Sequence, residues 1–141
     1  MKRIFFITTV VLTICSNSII AQADKYVSTG YCMLRQGAWD KDWVANSDAS
    51  FSFDLNLKEI RFEHTNWAPH TLKVDRIENL NTEEGVPLVV YHCTESANGD
   101  KWELRFNEWT VFDEAVRYYY YQIELKSPSA TMKFMTKKAD L

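Results

Sequence analysis

Residues 51–64 read FSFDLNLKEIRFEH, and the spacing of the large apolar residues in this stretch decides the fold. Phe51, Phe53 and Leu55 alternate with Ser52 and Asp54, and Ile60, Phe62 and His64 alternate with Arg61 and Glu63. A period of two belongs to a strand with one buried face, because successive side chains leave a strand on opposite sides. Residues 56–58 between the two runs supply a turn, so the stretch reads as a β-hairpin.

The same period recurs downstream. Trp102, Leu104 and Phe106 alternate with Glu103, Arg105 and Asn107, after a continuous apolar run, VPLVVYHCT, at 86–94. Asn98-Gly99 lies between them and is the strongest short hairpin signal in the chain. Residues 116–126 and 130–136 form a third pair around Ser127-Pro128-Ser129. It contains Arg117-Tyr-Tyr-Tyr-Tyr-Gln122, which parity divides. Tyr119 and Tyr121 share the parity of Ile123 and Leu125 and are expected inside, against Met132 and Phe134. Tyr118 and Tyr120 share that of Gln122, Glu124 and Lys126 and are expected outside or under a loop, with Lys133 and Lys137 outward.

Two segments fit less cleanly. Residues 71–80 read as a strand with a bulge, although Val74, Ile77 and Leu80 also have helical spacing. Thr110 and Asp113 stand at capping-box spacing, which suits one helical turn within 110–117. Residues 26–34 form an opening strand. The sum is an all-β chain of seven or eight strands, mostly joined as hairpins, with no long helix to cover a parallel sheet. The expected fold is a small antiparallel up-and-down barrel of about eight strands, lipocalin/calycin-like, with a two-layer Greek-key sandwich as the alternative. Gly37-Ala38-Trp39 resembles the G-x-W that opens lipocalins, whose barrels hold small apolar ligands. Lipocalins place it at or before their first strand, whereas here residues 26–34 precede it, so the resemblance assigns no site.

The chain begins with Lys2 and Arg3, an apolar run, and then Ala21-Gln22-Ala23, the three parts of a secretory signal peptide. Residues 1–23 are expected to be removed, leaving one β-domain at 24–141 in the periplasm or outside the cell. The apolar run is short for a membrane span, so no span is expected after processing. Cys15, preceded by the bulky Ile14, is a poor acylation site. Processing leaves 14 basic against 19 acidic residues, a net charge of −5. An acidic chain without a basic stripe argues against nucleic acid.

Cys32 and Cys93 remain, and in an oxidising compartment two cysteines read as one disulfide. Its loop of about 60 residues would contribute around 4 kcal/mol by the chain-entropy argument. No C-x-x-C is present, and His64, His70 and His92 have no recognised ligand spacing, so no metal or other cofactor is expected. Asp40, Asp42 and Asp48 lie in WDKDWVANSD, which lacks the central glycine and closing glutamate of a calcium loop and reads as solvated. G-x-S-x-G, P-loop and nucleotide-turn motifs are missing, and no pair of carboxylates stands out for glycoside cleavage. The expectation is a protein that is not an enzyme.

Trp102 belongs to a strand and to the core. Trp39, Trp43, Trp67 and Trp109 fall in or beside loops, where large rigid side chains serve ligand mouths and interfaces, or plug barrel ends. They are the candidate binding residues. The partner class is a small molecule or carbohydrate, or else an extracytoplasmic protein such as a hydrolase that these loops would block.

Overall fold

The computed structural model describes residues 23–45, 48–113 and 116–139, with side chains outside 109–120. Residues 1–22 of the expected leader, Cys15, and the side chains of Tyr118, Tyr119 and Tyr120 lie outside the described residues. The strands are β1 (Asp24–Arg35), β2 (Ala38–Trp39), β3 (Val44–Ala45), β4 (Ala49–Asp54), β5 (Glu59–His64), β6 (Trp67–Asn81), β7 (Pro87–Glu95), β8 (Lys101–Asp113), β9 (Val116–Lys126) and β10 (Thr131–Lys138). All pair antiparallel in chain order from β4 to β10, and β10 closes onto β1.

Three of these strands make one stave. Along the same edge of β1, Val27 pairs with Ser50 of β4, Tyr31 with Val44 of β3 and Leu34 with Trp39 of β2. β2, β3 and β4 are therefore one returning strand broken by two short loops. Counted this way, the wall is a closed antiparallel up-and-down barrel of eight staves, with no helix among the described residues. Closure removes the open edges that a sandwich would leave. Residues 110–113 continue β8 and residues 116–117 begin β9, so no helical turn forms at these positions.

Gly37 serves the turn between β1 and β2 and not a lipocalin-like opening. Gln36 and Gly37, with φ of 49° and 81°, form a two-residue loop in which both positions are left-handed, the form that matches strand twist. A Cβ at Gly30 would lie 3.3 Å from the Val44 carbonyl oxygen, a tight approach where β3 runs along β1.

The interior is filled by side chains at alternate positions. Phe51 stacks on Phe62 at 4.9 Å, and both meet Phe134, at 5.2 and 5.8 Å. Ile60, Leu72, Leu104 and Ile123 are fully buried around them. Each such side chain contributes roughly 1.5–3 kcal/mol through burial, enough in sum to oppose the entropy of ordering the chain. Tyr121 lies on the inner side, as parity required, its ring 4.9 Å from Tyr26 and 5.5 Å from Phe106. Leu55, which the alternation placed inside, instead sits in the turn after β4 and is exposed.

Strand direction gives the barrel two distinct ends. The turns after β1, β5, β7 and β9 lie at one end, here the lower, and those after β4, β6 and β8 at the other, the upper. At the upper end two hairpins overhang. β6 pairs with β5 only as far as Lys73 opposite Glu59, then continues with β7 alone. β8 pairs with β7 as far as Asn107 opposite Leu88, then continues with β9 alone.

The disulfide expected between Cys32 and Cys93 is not formed, since both are free thiols. A bulge in β1 between Ser28 and Gly30 is the cause. Before it Tyr26 and Ser28 are the buried positions. After it Tyr31 and Met33 face the buried Phe134 and Met132, which turns Cys32, opposite Lys133, to the outer face. Cys93, between Val74 and Trp102, is in the inner core. The barrel wall separates the two sulfurs.

Candidate functional site

The candidate tryptophans do not converge on one mouth. Trp39 is on the outer face of β1, opposite Leu34, with Lys133 Nζ 4.0 Å above its ring centre, a cation–π contact. Trp43 crosses the same face, its Cε3 3.9 Å from where a Gly30 Cβ would stand. Trp67 opens β6 at the lower end. Its ring lies on His64 at 4.4 Å and 24°, and meets Phe62 at 6.0 Å and 66°. Trp109 pairs with Tyr120 in the β8–β9 overhang at the upper end, and its side chain lies outside the described residues.

Of these, Trp67 has the geometry of a platform. It is 44% exposed, although one face is already occupied by an aromatic ring. The turn beneath it is braced. The Asn66 amide donates to His64 Nδ1 at 3.2 Å, and the Thr65 amide donates to the Asp48 carbonyl at 3.2 Å. A ring held by stacking and by a tied turn loses little freedom when something lies on it.

Directly inside this platform sits a polar pair that sequence reasoning missed. His70 Nδ1 and Glu95 Oε1 are 2.5 Å apart, and Glu95 is only 6% exposed. The His70 ring stacks on Phe62 at 6.1 Å and lies 4.8 Å from Trp102. Trp102 Nε1 is buried with no hydrogen-bond acceptor among the described residues. The signal was present, because Glu95 shares the inward parity of Tyr91 and Cys93, and an acid at an inward position requires a partner. The contact fixes the direction in which the imidazole points. No hydroxyl or thiol is hydrogen-bonded to the pair among the described residues. Nor does any group of three His, Cys, Asp or Glu among the described residues form a metal cage.

The outer wall carries charge in rows. Arg76, His92, Glu103 and Lys126 stand side by side across β6, β7, β8 and β9. With Asp75 and Lys101 they line a shallow groove of about 590 Å³. Its charges are largely matched within the wall. The Thr94 hydroxyl donates to Asp75 at 2.5 Å and, with Lys101 nearby, holds that carboxyl below its ordinary range. Arg105 donates to Glu103 at 2.8 Å and lowers its pKa likewise. A barrel that crosses a bilayer has the reverse arrangement, apolar outside and polar inside.

Burial pushes Cys93 up to about 12 and also raises Cys32, so neither thiol has the low pKa of a reactive nucleophile. Comparison of the chain with protein-family models, with curated proteins and with solved structures finds no significant match to any of them.

Proposed function

We propose that the protein is an exported, non-enzymatic binding module that takes its ligand on the outside of a filled barrel, with Trp67 as the stacking surface. The observation that carries this reading is the braced, half-exposed Trp67 ring on His64 at 4.4 Å. The filled interior supports it from the other side. With Phe51, Phe62 and Phe134 at 0–1% exposure, the barrel centre is occupied by protein, so binding falls to the surface. The ligand class is a sugar ring or a similar flat molecule. Such a ligand lays its apolar face on the indole and turns its polar edge to the surrounding turn.

The test is titration of tryptophan emission with a panel of soluble oligosaccharides, repeated on Trp67→Ala. Trp67→Ala should weaken binding about tenfold or more, as loss of a stacked ring does. No response to any sugar, or a response that survives Trp67→Ala, removes the reading.

A second reading has its own support at the upper end, where Leu55, Leu57, Ile77 and Leu80 are 46–71% exposed. Apolar side chains gathered on a rim suit a protein partner, including an extracytoplasmic hydrolase that the module would block. Retention of the effect in Trp67→Ala together with its loss in Leu57→Asp would favour that reading.

A further inference from the structure

We infer that the protein pairs with a second copy of itself through the overhanging edge of β6, residues 75–79, in one antiparallel register centred on Ile77. The inference is independent of the Trp67 reading, since the two surfaces lie at opposite ends.

The edge is open. On the side facing β5 the last backbone bond is from the Val74 amide to the Lys58 carbonyl, at 2.8 Å. Beyond it, among the described residues, β6 is paired only with β7, and every residue from Asp75 to Asn81 except Glu78 is exposed. A strand whose amides and carbonyls face water is a template for another strand.

Charge then selects the partner and the register. Arg76 and Glu78 stand on the outer face, opposite His92 and Val90, while Ile77, opposite Tyr91, is on the inner face. In a two-fold antiparallel pair, facing residues must come from the same face, so the axis passes through a residue. Centring on Arg76 or on Glu78 sets two like charges face to face. Centring on Asn79 sets Glu78 against Leu80. Only centring on Ile77 sets Arg76 against Glu78 twice and Ile77 against its own copy. Opposite-charge and apolar cross-strand pairs both stabilise a sheet.

The walls beside the edge fit the same arrangement. A notch of about 240 Å³, lined by Leu55, Lys58, Val74, Asp75, Arg76 and Ile77, stands where the edge begins.

The experiment is sedimentation velocity on the exported protein from micromolar to millimolar concentration, with melting curves to confirm that each variant is folded. The expected result is a monomer–dimer equilibrium. Glu78→Arg and Arg76→Glu should each weaken it about tenfold, because each turns two attractive pairs into repulsive ones. The double variant carrying both exchanges should restore it to near the original strength, since every facing pair is again opposite in charge. A protein that sediments as a monomer up to millimolar concentration overturns the inference. So does a double variant that remains as weak as the single ones.

Discussion

Replacing Phe62 by alanine tests the claim on which the rest depends, that the barrel is packed through its middle. The ring is 1% exposed and lies between Phe51, at 4.9 Å, and Phe134, at 5.8 Å, with Trp67 and His70 on its other sides. These neighbours sit on rigid strands of a closed wall, so they can move only a little into the space. Phe→Ala changes at such sites cost about 3–5 kcal/mol, the sum of lost burial and a residual cavity. Single domains have about 5–15 kcal/mol in total, so the variant should lose roughly a fifth of its stability or more. Its melting point should fall by roughly 10–25 °C for a domain of this size. Urea titration gives the value directly. The midpoint should drop while the slope is unchanged, which assigns the loss to the native state. Phe62→Leu, which keeps most of the volume, should cost about 1.5 kcal/mol or less. A Phe62→Ala variant that loses under about 1 kcal/mol would refute the packing. It would mean that a void already adjoins the ring, and an enclosed ligand would then replace the surface site proposed at Trp67.

The remaining predictions concern the cysteines and the buried phenol. Unfolded without reductant, a chain spanning residues 24–141 should take up two alkyl groups, on Cys32 and Cys93, and folded it should take up almost none, because both are buried and free. A mass two hydrogens lower with no label would show a bridge instead. Burial raises Cys93 from 9.0 and Tyr26 from 10.0, each to about 12. The folded state therefore holds protons that the unfolded chain has released, and stability should be full below pH 9 and fall as pH rises toward 12. Urea midpoints measured across that range should decline, and less steeply in Cys93→Ala. A flat or rising profile would contradict the burial of these groups.

Most of the barrel was legible because alternation is a local signal. Phe51, Phe53, Ile60 and Phe62 are inward in the structure as their spacing required, and so are Leu104, Ile123 and Phe134. The Val74–Arg76 bulge in β6 was visible as a run that fitted neither period, and it is there. The bulge in β1 was not visible. Tyr26, Ser28, Gly30 and Cys32 are all buried at even spacing, so the sequence looks like one unbroken inward face. Two different causes produce that pattern. The core buries the first two, whereas on the outer face the Trp43 side chain lies against Gly30 and Cys32 stands opposite Lys133. Parity cannot distinguish burial against the core from burial under side chains of the outer face. A disulfide inferred from compartment alone fails at this point, since compartment says that a bridge is chemically permitted and nothing about which face each sulfur occupies.

The scattering of the tryptophans has a simpler origin, which counting staves would have exposed. In an up-and-down barrel, turns after odd staves lie at one end and turns after even staves at the other. Trp39 and Trp43 follow the first stave, and Trp67 follows the third, which sends all three toward the lower end. Trp109 approaches the turn after the sixth stave, which places it toward the upper end before any coordinate is known. The count depends on recognising that β2, β3 and β4 are one stave, and residues 38–54 carry loop-like polar stretches that hide this. Chemistry-bearing residues in a closed meander can share a mouth only if their turns have the same parity. For this chain, that condition separates Trp67, with His64, His70 and Glu95 beside it, from the apolar rim and the open β6 edge at the other end. If the proposals made for both surfaces hold, their position at opposite ends of the barrel means that occupancy of one leaves the other open.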